Sequence, residues 1–284
     1  MKIGLGMAFA LLVVATAAQA ETPLERGTYL VNSIMGCGNC HTPQGPKGPL
    51  PGMDLAGGME FKDQGMLAYS GNITQDKETG IGSWTDAQIA TAIREGKRPD
   101  GTLIGPPMPF GQYRNISDSD IAAVVAYLRT VKPIANKVKA SKYDFPLPPA
   151  WGPPVTSVPD VPRDNKLAYG AYLAGPLGHC VECHTPMNKD MTFDFEHRKF
   201  AGGLEIRGPW GLSLSANITP DKETGIGKWT DAQIKRAITQ GIDDKGTPLN
   251  PPMGFSYYAK LKPADLDAIV AYLRSVKPVH NEVH

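Results

Sequence analysis

All four cysteines of the 284-residue chain lie in two pentapeptides, Cys37-Gly38-Asn39-Cys40-His41 and Cys180-Val181-Glu182-Cys183-His184. Two intervening residues let both sulfurs reach the vinyl groups on one porphyrin edge and form thioethers. The histidine that follows then stands where a ring nitrogen can ligate the iron, so the spacing predicts c-type haem attachment. Two covalently bound haem c groups are expected, on Cys37 with Cys40 and on Cys180 with Cys183, with His41 and His184 as iron ligands. Other chemistries use the same residue types: two disulfides, a zinc site, or a thioredoxin-type dithiol. Disulfides need no histidine after each pair, and zinc would have to bridge motifs 143 residues apart or accept too few ligands. No βαβ pattern surrounds either motif.

A closed haem needs a second axial ligand, and a methionine thioether is a soft one that raises the reduction potential. Met35, Met53, Met59, Met66 and Met108 are available in the first half, Met187, Met191 and Met253 in the second. Met108 and Met253 stand apart because each follows a Pro-Pro pair and precedes a phenylalanine by two positions, 67 and 69 residues after the respective histidine. They are the expected sulfur ligands. His179 or His197 would offer a bis-histidine alternative.

These residues sit inside a duplication. Asn72 to Ile89 recurs almost unchanged as Asn217 to Ile234, an offset of 145 that also carries Pro106-Pro107-Met108 onto Pro251-Pro252-Met253 and Ala126-Tyr-Leu-Arg129 onto Ala271-Tyr-Leu-Arg274. The cysteine motifs are offset by 143, so the second copy has gained two residues between His184 and Ala201, as a surface loop tolerates. Trp84 and Trp229, Tyr113 and Tyr258, and Asn72 and Asn217 recur as polar-tipped groups suited to a haem wall with a propionate beside it. Arg129 and Arg274 are read as solvent-facing or helix-end cations, and the Asp-Lys-Glu-Thr-Gly runs as solvated turns.

Three helices per copy must position this set. The first spans about Pro23 to Met35 and Asn165 to Leu177. The second starts after the tryptophan, where Thr85 with Gln88 and Thr230 with Gln233 form capping boxes. The third carries Ile121, Val124, Val125 and Leu128, repeated as Leu266, Ile269, Val270 and Leu273, an i, i+3, i+4, i+7 stripe that buries one face. No long alternating strand is present. Three short helices leave too few large aliphatics for a core of their own, and a macrocycle would fill the gap. The expected organisation is a signal peptide over 1–20, a first module over 21–132, a Pro-rich linker over 133–163 and a second module over 164–284. The linker holds eight prolines, which makes it semi-rigid, and Trp151 is expected to dock it onto a module.

The signal peptide is read from Lys2, the apolar run Met7 to Ala18 and the small-residue ending Ala18-Gln-Ala20, which predict export and a mature start at Glu21. Retention of that segment as an anchor is the alternative. With 29 Lys and Arg against 28 Asp and Glu, no basic field exists to hold nucleic acid. No later segment is apolar enough to span a bilayer, so membrane contact would come only through a partner complex or the uncleaved signal.

With its Cys-x-x-Cys-His motifs, Pro-Pro-Met loops and Ala-Tyr-Leu-Arg helices in order and twice over, the chain resembles a tandem class I cytochrome c. The Asn-Ile-Thr, Gly-Ile-Gly-x-Trp-Thr and Pro-Pro-Met-x-Phe blocks are similar to those of the cytochrome c subunits of bacterial periplasmic alcohol, gluconate and aldehyde dehydrogenases. Members of that group often carry three haems and a C-terminal membrane anchor, whereas this sequence has two motifs and no apolar tail. The resemblance implies an all-α fold of two small, loop-rich modules, each around one covalent haem. It pairs His41 with Met108 and His184 with Met253. It also implies a periplasmic electron carrier, with no catalytic residues, working between a dehydrogenase and an oxidase or another cytochrome. A dihaem redox enzyme, such as a peroxidase or a sulfur-compound oxidoreductase, is the alternative.

Overall fold

The computed structural model describes residues 20–63, 65–190, 192–208 and 210–283; the signal segment falls outside them but for Ala20. In the first half, helices α1 (Pro23–Asn32), α2 (Cys37–His41), α3 (Asp86–Glu95), α4 (Phe110–Tyr113) and α5 (Asp118–Leu128) follow in order. The second half repeats them as α6 (Lys166–Tyr172), α7 (Cys180–Cys183), α8 (Asp231–Gln240), α9 (Phe255–Tyr258) and α10 (Pro263–Ser275), with a π-helical turn, Leu173–Leu177, extending α6.

The helix ends are set by local chemistry. Thr22 opens α1, Thr85 opens α3 and Thr230 opens α8, each hydroxyl accepting from the backbone three residues on, while Glu25, Gln88 and Gln233 reach back. Gly96 and Gly241 close α3 and α8 in the left-handed conformation, at φ 63° and 66°. Within each half the first helix crosses the last at very short range. A Cβ on Gly27 would lie 1.9 Å from the Ala123 carbonyl oxygen, and one on Gly170 would lie 2.1 Å from that of Ala268. Glycine is therefore required at both crossings.

Helix α1 packs on α5 and α6 on α10, with Leu30, Val31, Ile34, Val124, Val125 and Leu128 buried in the first half and Leu173, Leu177, Ile269, Val270 and Leu273 in the second. All belong to one buried cluster that runs through both halves.

The structure is not purely helical. Antiparallel hairpins join β1 (Gln44–Gly45) to β2 (Gly48–Pro49), β3 (Glu60–Asp63) to β4 (Met66–Tyr69), and β6 (Glu205–Gly208) to β7 (Gly211–Leu214). Strand β5 (Lys142–Tyr143), from the linker, adds to the free edge of β4. The all-α expectation therefore describes the core and misses the periphery, because strands of two to four residues are too short to show a period of two. Among the described residues no helix is long and apolar enough to cross a membrane.

The halves meet reciprocally. Tyr29 Oη donates to Asp265 Oδ2 at 2.7 Å, and its counterpart Tyr172 Oη donates to Asp120 Oδ2, the counterpart of Asp265, at 2.8 Å. The same hydroxyls accept from the backbone N–H groups of Lys262 and Ser117, which are again equivalent positions. Such mutual contact of one surface with its own copy is the pattern of a two-fold interface.

Candidate functional site

Each cysteine motif forms a short helix entered through a left-handed residue, Gly36 at φ 53° in the first half and His179 at φ 39° in the second. The next turn of backbone brings the motif histidine under its own module. His41 Nδ1 lies 2.8 Å from the Gly71 carbonyl oxygen, and His184 Nδ1 lies 2.7 Å from that of Ala216. A ring nitrogen facing a carbonyl carries the proton, so Nε2 keeps its lone pair and the ring is held in one orientation, as a metal-ligating histidine requires. Burial pushes both imidazoles toward the neutral form.

All four thiols are unpaired. Burial raises Cys37 and Cys183 to about 12 and Cys40 and Cys180 to about 11. Such thiols differ from the low-pKa thiolates of thioredoxin-like dithiols. Among the described residues no three His, Cys, Asp or Glu side chains converge to hold a metal ion, so the zinc reading has no geometry here.

In each module some apolar side chains are packed on the core yet keep part of their surface open: Cys37, Ile73, Trp84 and Met108 in the first, Cys180, Ile218, Trp229 and Tyr258 in the second. This apolar lining, two free sulfurs and one oriented imidazole fit a covalently attached haem. Met108 and Met253 stand in matching places, two residues before the phenylalanine that begins α4 or α9, and Phe110 and Phe255 donate their backbone N–H to the respective methionine carbonyl at 3.0 Å. Both methionines are half-buried.

The remaining expected wall residues divide. Trp84 and Trp229 are half-buried against the core, and Tyr113 is buried with its ring edge-on to His179 of the other module at 5.8 Å. Asn72 and Asn217 do something other than face a propionate. Asn72 Nδ2 donates to Thr79 Oγ1 and the Ile134 carbonyl at 3.0 and 2.8 Å, and its Oδ1 accepts from the backbone and hydroxyl of Thr74 at 3.0 and 2.7 Å. Asn217 repeats this with Thr224, Val279 and Thr219. Two donors and two acceptor sites exhaust an amide. These asparagines knit the loop beside the histidine to the segment after the last helix.

Arg129 and Arg274, read as helix-end or solvent cations, are instead half-buried clamps. Arg129 holds Asp86 at 2.7 Å, Gln75 at 3.1 Å and the Trp84 carbonyl, and Arg274 holds Asp231, the Ile226 carbonyl and the Trp229 carbonyl. The available signal was their sharing the tryptophan's offset of 145.

The Asp-Lys-Glu-Thr-Gly turns close on their aspartates. Asp76 Oδ1 accepts from the Thr79 hydroxyl and backbone at 2.7 Å each, and Asp221 is held likewise by Thr224. The Thr79 hydroxyl, and for Asp221 the Thr224 backbone N–H, hold these carboxyls below the usual range. A lowered carboxylate pKa stabilises the fold above about pH 4 and loses that effect as the pH falls through the folded value. Asp76→Asn is therefore expected to reduce stability at neutral pH and to flatten the acid limb, as followed by thermal unfolding from pH 7 to pH 3. An unchanged acid limb would remove this role.

The two sites face each other across the interface. Asn39, inside the first motif, donates to the Pro252 carbonyl of the second methionine loop at 3.1 Å. Its counterpart Glu182 lies against Gly111 of the first module, where an added Cβ would meet its Oε1 at 3.4 Å. Tyr257 covers Gly36 and Gly38 so closely that a Cβ on Gly38 would sit 2.3 Å from its hydroxyl. Tyr29, Tyr172, Asp120 and Asp265 were not singled out from sequence, although each recurs at the offset of its own segment.

A family model described as cytochrome c matches residues 24–132 and again residues 168–277. The chain is 32% identical over 277 residues to the cytochrome c subunit of the quinone alcohol dehydrogenase of Gluconobacter oxydans (strain 621H), covering 91% of this chain and 56% of that one. It is 31% identical over 271 residues to the gluconate 2-dehydrogenase cytochrome c subunit of Pantoea cypripedii, covering 89% and 59%. A diheme cytochrome c-type protein of Cereibacter sphaeroides is 28% identical over 258 residues, 86% of this chain and 83% of that one. The chain thus spans somewhat over half the length of the two dehydrogenase subunits.

Proposed function

Because the chain belongs to the cytochrome c family, with two of its domains in tandem and two covalently bound haem c groups, we propose that it carries single electrons in a bacterial periplasm. The donor is a dehydrogenase, in line with the names of its relatives, and the acceptor is an oxidase or a further cytochrome. Cys37 with Cys40 and Cys180 with Cys183 would hold the haems, and His41 with Met108 and His184 with Met253 would ligate the irons. When bound, each haem supplies a one-electron iron couple whose potential the thioether raises.

The observation that carries this reading is the identical treatment of the two histidines, each oriented by a carbonyl of its own module at 2.8 and 2.7 Å directly after an unpaired thiol. The chain's own residues then have limited tasks. The carbonyls of Gly71 and Ala216 fix the imidazole tautomer. The apolar lining excludes water, and the arginine clamps keep the tryptophan loops in place in either oxidation state. With a histidine and a methionine both committed to each iron, no ligand position would be left for a substrate, which favours a carrier over a peroxidase or a sulfur-compound enzyme. The reciprocal interface, with Asn39 of one motif on the methionine loop of the other module, favours transfer between the modules within one chain.

The oxidised protein is expected to show the weak near-red absorption of methionine-to-iron charge transfer, lost in part in Met108→Ala or Met253→Ala and wholly in the double variant. A wild type without this band refutes methionine ligation. Steady turnover of peroxide or thiosulfate at catalytic protein levels would overturn the carrier reading itself.

A further inference from the structure

The two methionine loops are braced differently, and the difference accounts for several residues at which the copies diverge. In the second module the Pro251 carbonyl, two residues before Met253, accepts from the hydroxyl of Ser213 in the neighbouring hairpin. The equivalent of Ser213 in the first module is Ala68, which has no hydroxyl. There the equivalent carbonyl, that of Pro106, accepts at 3.0 Å from the hydroxyl of Tyr143, which comes from the linker.

The seat for Tyr143 is cut into the loop. Gly105 faces its ring so closely that a Cβ would lie 2.3 Å from Tyr143 Cζ, and the second copy carries Asn250 at that position. Pairing of β5 with β4 brings Tyr143 to the spot, with Tyr143 opposite Met66.

A second linker residue grips the same loop from its other end. Trp151 Nε1 donates to the Ile104 carbonyl at 2.9 Å, and its indole stacks on Phe110 with centroids 5.7 Å apart and planes inclined by 22°. Phe110 is buried, whereas Phe255, its counterpart without a tryptophan, is only half-buried. Arg114 fastens this part of the linker by donating to the Trp151 and Pro153 carbonyls, and the second copy has Ala259 instead.

We infer that the linker is a strap that fixes the sulfur of Met108, with Tyr143 and Trp151 as positioning residues, whereas the Met253 loop is held by Ser213 of its own module and by Asn39 across the interface. The inference rests on the reading of Met108 and Met253 as axial ligands. Its consequence is that the two irons differ in how readily an outside ligand displaces the sulfur. Loosening the strap opens the first haem alone.

The test uses the full-length, haem-loaded, oxidised protein, with the near-red band and imidazole binding as readouts. A looser loop populates the sulfur-detached state more often, and apparent affinity rises with that fraction, so Trp151→Ala is expected to raise imidazole affinity by roughly tenfold at one haem only. Tyr143→Phe gives a smaller effect of the same kind, and adding Ala68→Ser to it restores wild-type affinity by supplying the missing hydroxyl. In a Met108→Ala background the strap variants add nothing, and in a Met253→Ala background they act in full. A wild type showing the band, with strap variants that change neither haem or both equally, overturns the strap while leaving methionine ligation standing. A wild type without the band removes the ligand reading and the strap with it.

Discussion

Cys37→Ala combined with Cys40→Ala is expected to yield a chain with one haem, whose first module no longer unfolds cooperatively. The reason lies in the lining. Ile73, Trp84 and Met108 are packed on the core yet only half-buried, and a macrocycle attached at Cys37 and Cys40 is expected to cover apolar surface that is otherwise left to water. Each 100 Å² of apolar surface returned to water costs about 2.5 kcal/mol, so a few hundred Å² consumes most of the roughly 5–15 kcal/mol that holds a domain folded. The second module keeps its own lining and attachment motif, so its absorption and melting are expected to persist. Intact mass and two-wavelength thermal melts, one on the backbone and one on the haem, check both halves. A first module that melts as in the wild type would show that the polypeptide core suffices without its haem.

Asp120→Ala is the point change with the largest expected cost in stability. Arg26 meets Asp120 through two bonds, Nε to Oδ1 at 2.7 Å and Nη2 to Oδ2 at 2.9 Å, and both side chains are only 7% exposed. Tyr172 donates to the same carboxylate from the other module. Burial opposes the charge on Arg26, and the hydrogen bonds and negative charge of Asp120 outweigh it, so the guanidinium is held protonated. Removing the carboxylate strands a buried cation and takes one acceptor from an interface hydroxyl, at a cost of about 3–5 kcal/mol. Replacing both partners, Arg26→Met with Asp120→Leu, is expected to recover most of this because no charge is left unpaired. Urea unfolding of the three proteins decides it. A loss below about 1 kcal/mol in Asp120→Ala is the range of a solvated surface pair and would contradict the burial argument.

Those residues whose chemistry depends on near neighbours in the chain were readable from sequence. The Cys-x-x-Cys-His spacing carries its own geometry, the capping boxes at Thr85 and Thr230 formed as expected, and the stripes through Ile121 and Leu266 are the buried faces of α5 and α10. What escaped depends on distant pairs. The asparagine at 72 donates to the carbonyl of Ile134, 62 residues away in the segment after α5, which no local pattern encodes. Arg129 reaches back 45 residues to the Trp84 carbonyl. The Pro-rich linker was read as a spacer, and Trp151 as its anchor. That it carries Tyr143 to the Pro106 carbonyl becomes visible only when Ala68 is seen to lack the hydroxyl that Ser213 has. At the C-terminal end, Val279 and Asn281 donate into the second module at 3.1 and 2.9 Å, as Ile134 and Asn136 do in the first, and these contacts too join residues some sixty positions apart.

One position on the reciprocal face breaks its symmetry: Arg26 stands opposite Tyr169, its own equivalent, on the two first helices. Were a half-molecule to self-associate through this face, two copies of the first would set guanidinium against guanidinium, and two copies of the second would set phenol against phenol. Only the mixed pairing sets one guanidinium beside one phenol. The polypeptide thus encodes which half accepts which, and tethered neighbours on one strand do not have to compete with strangers for the fit.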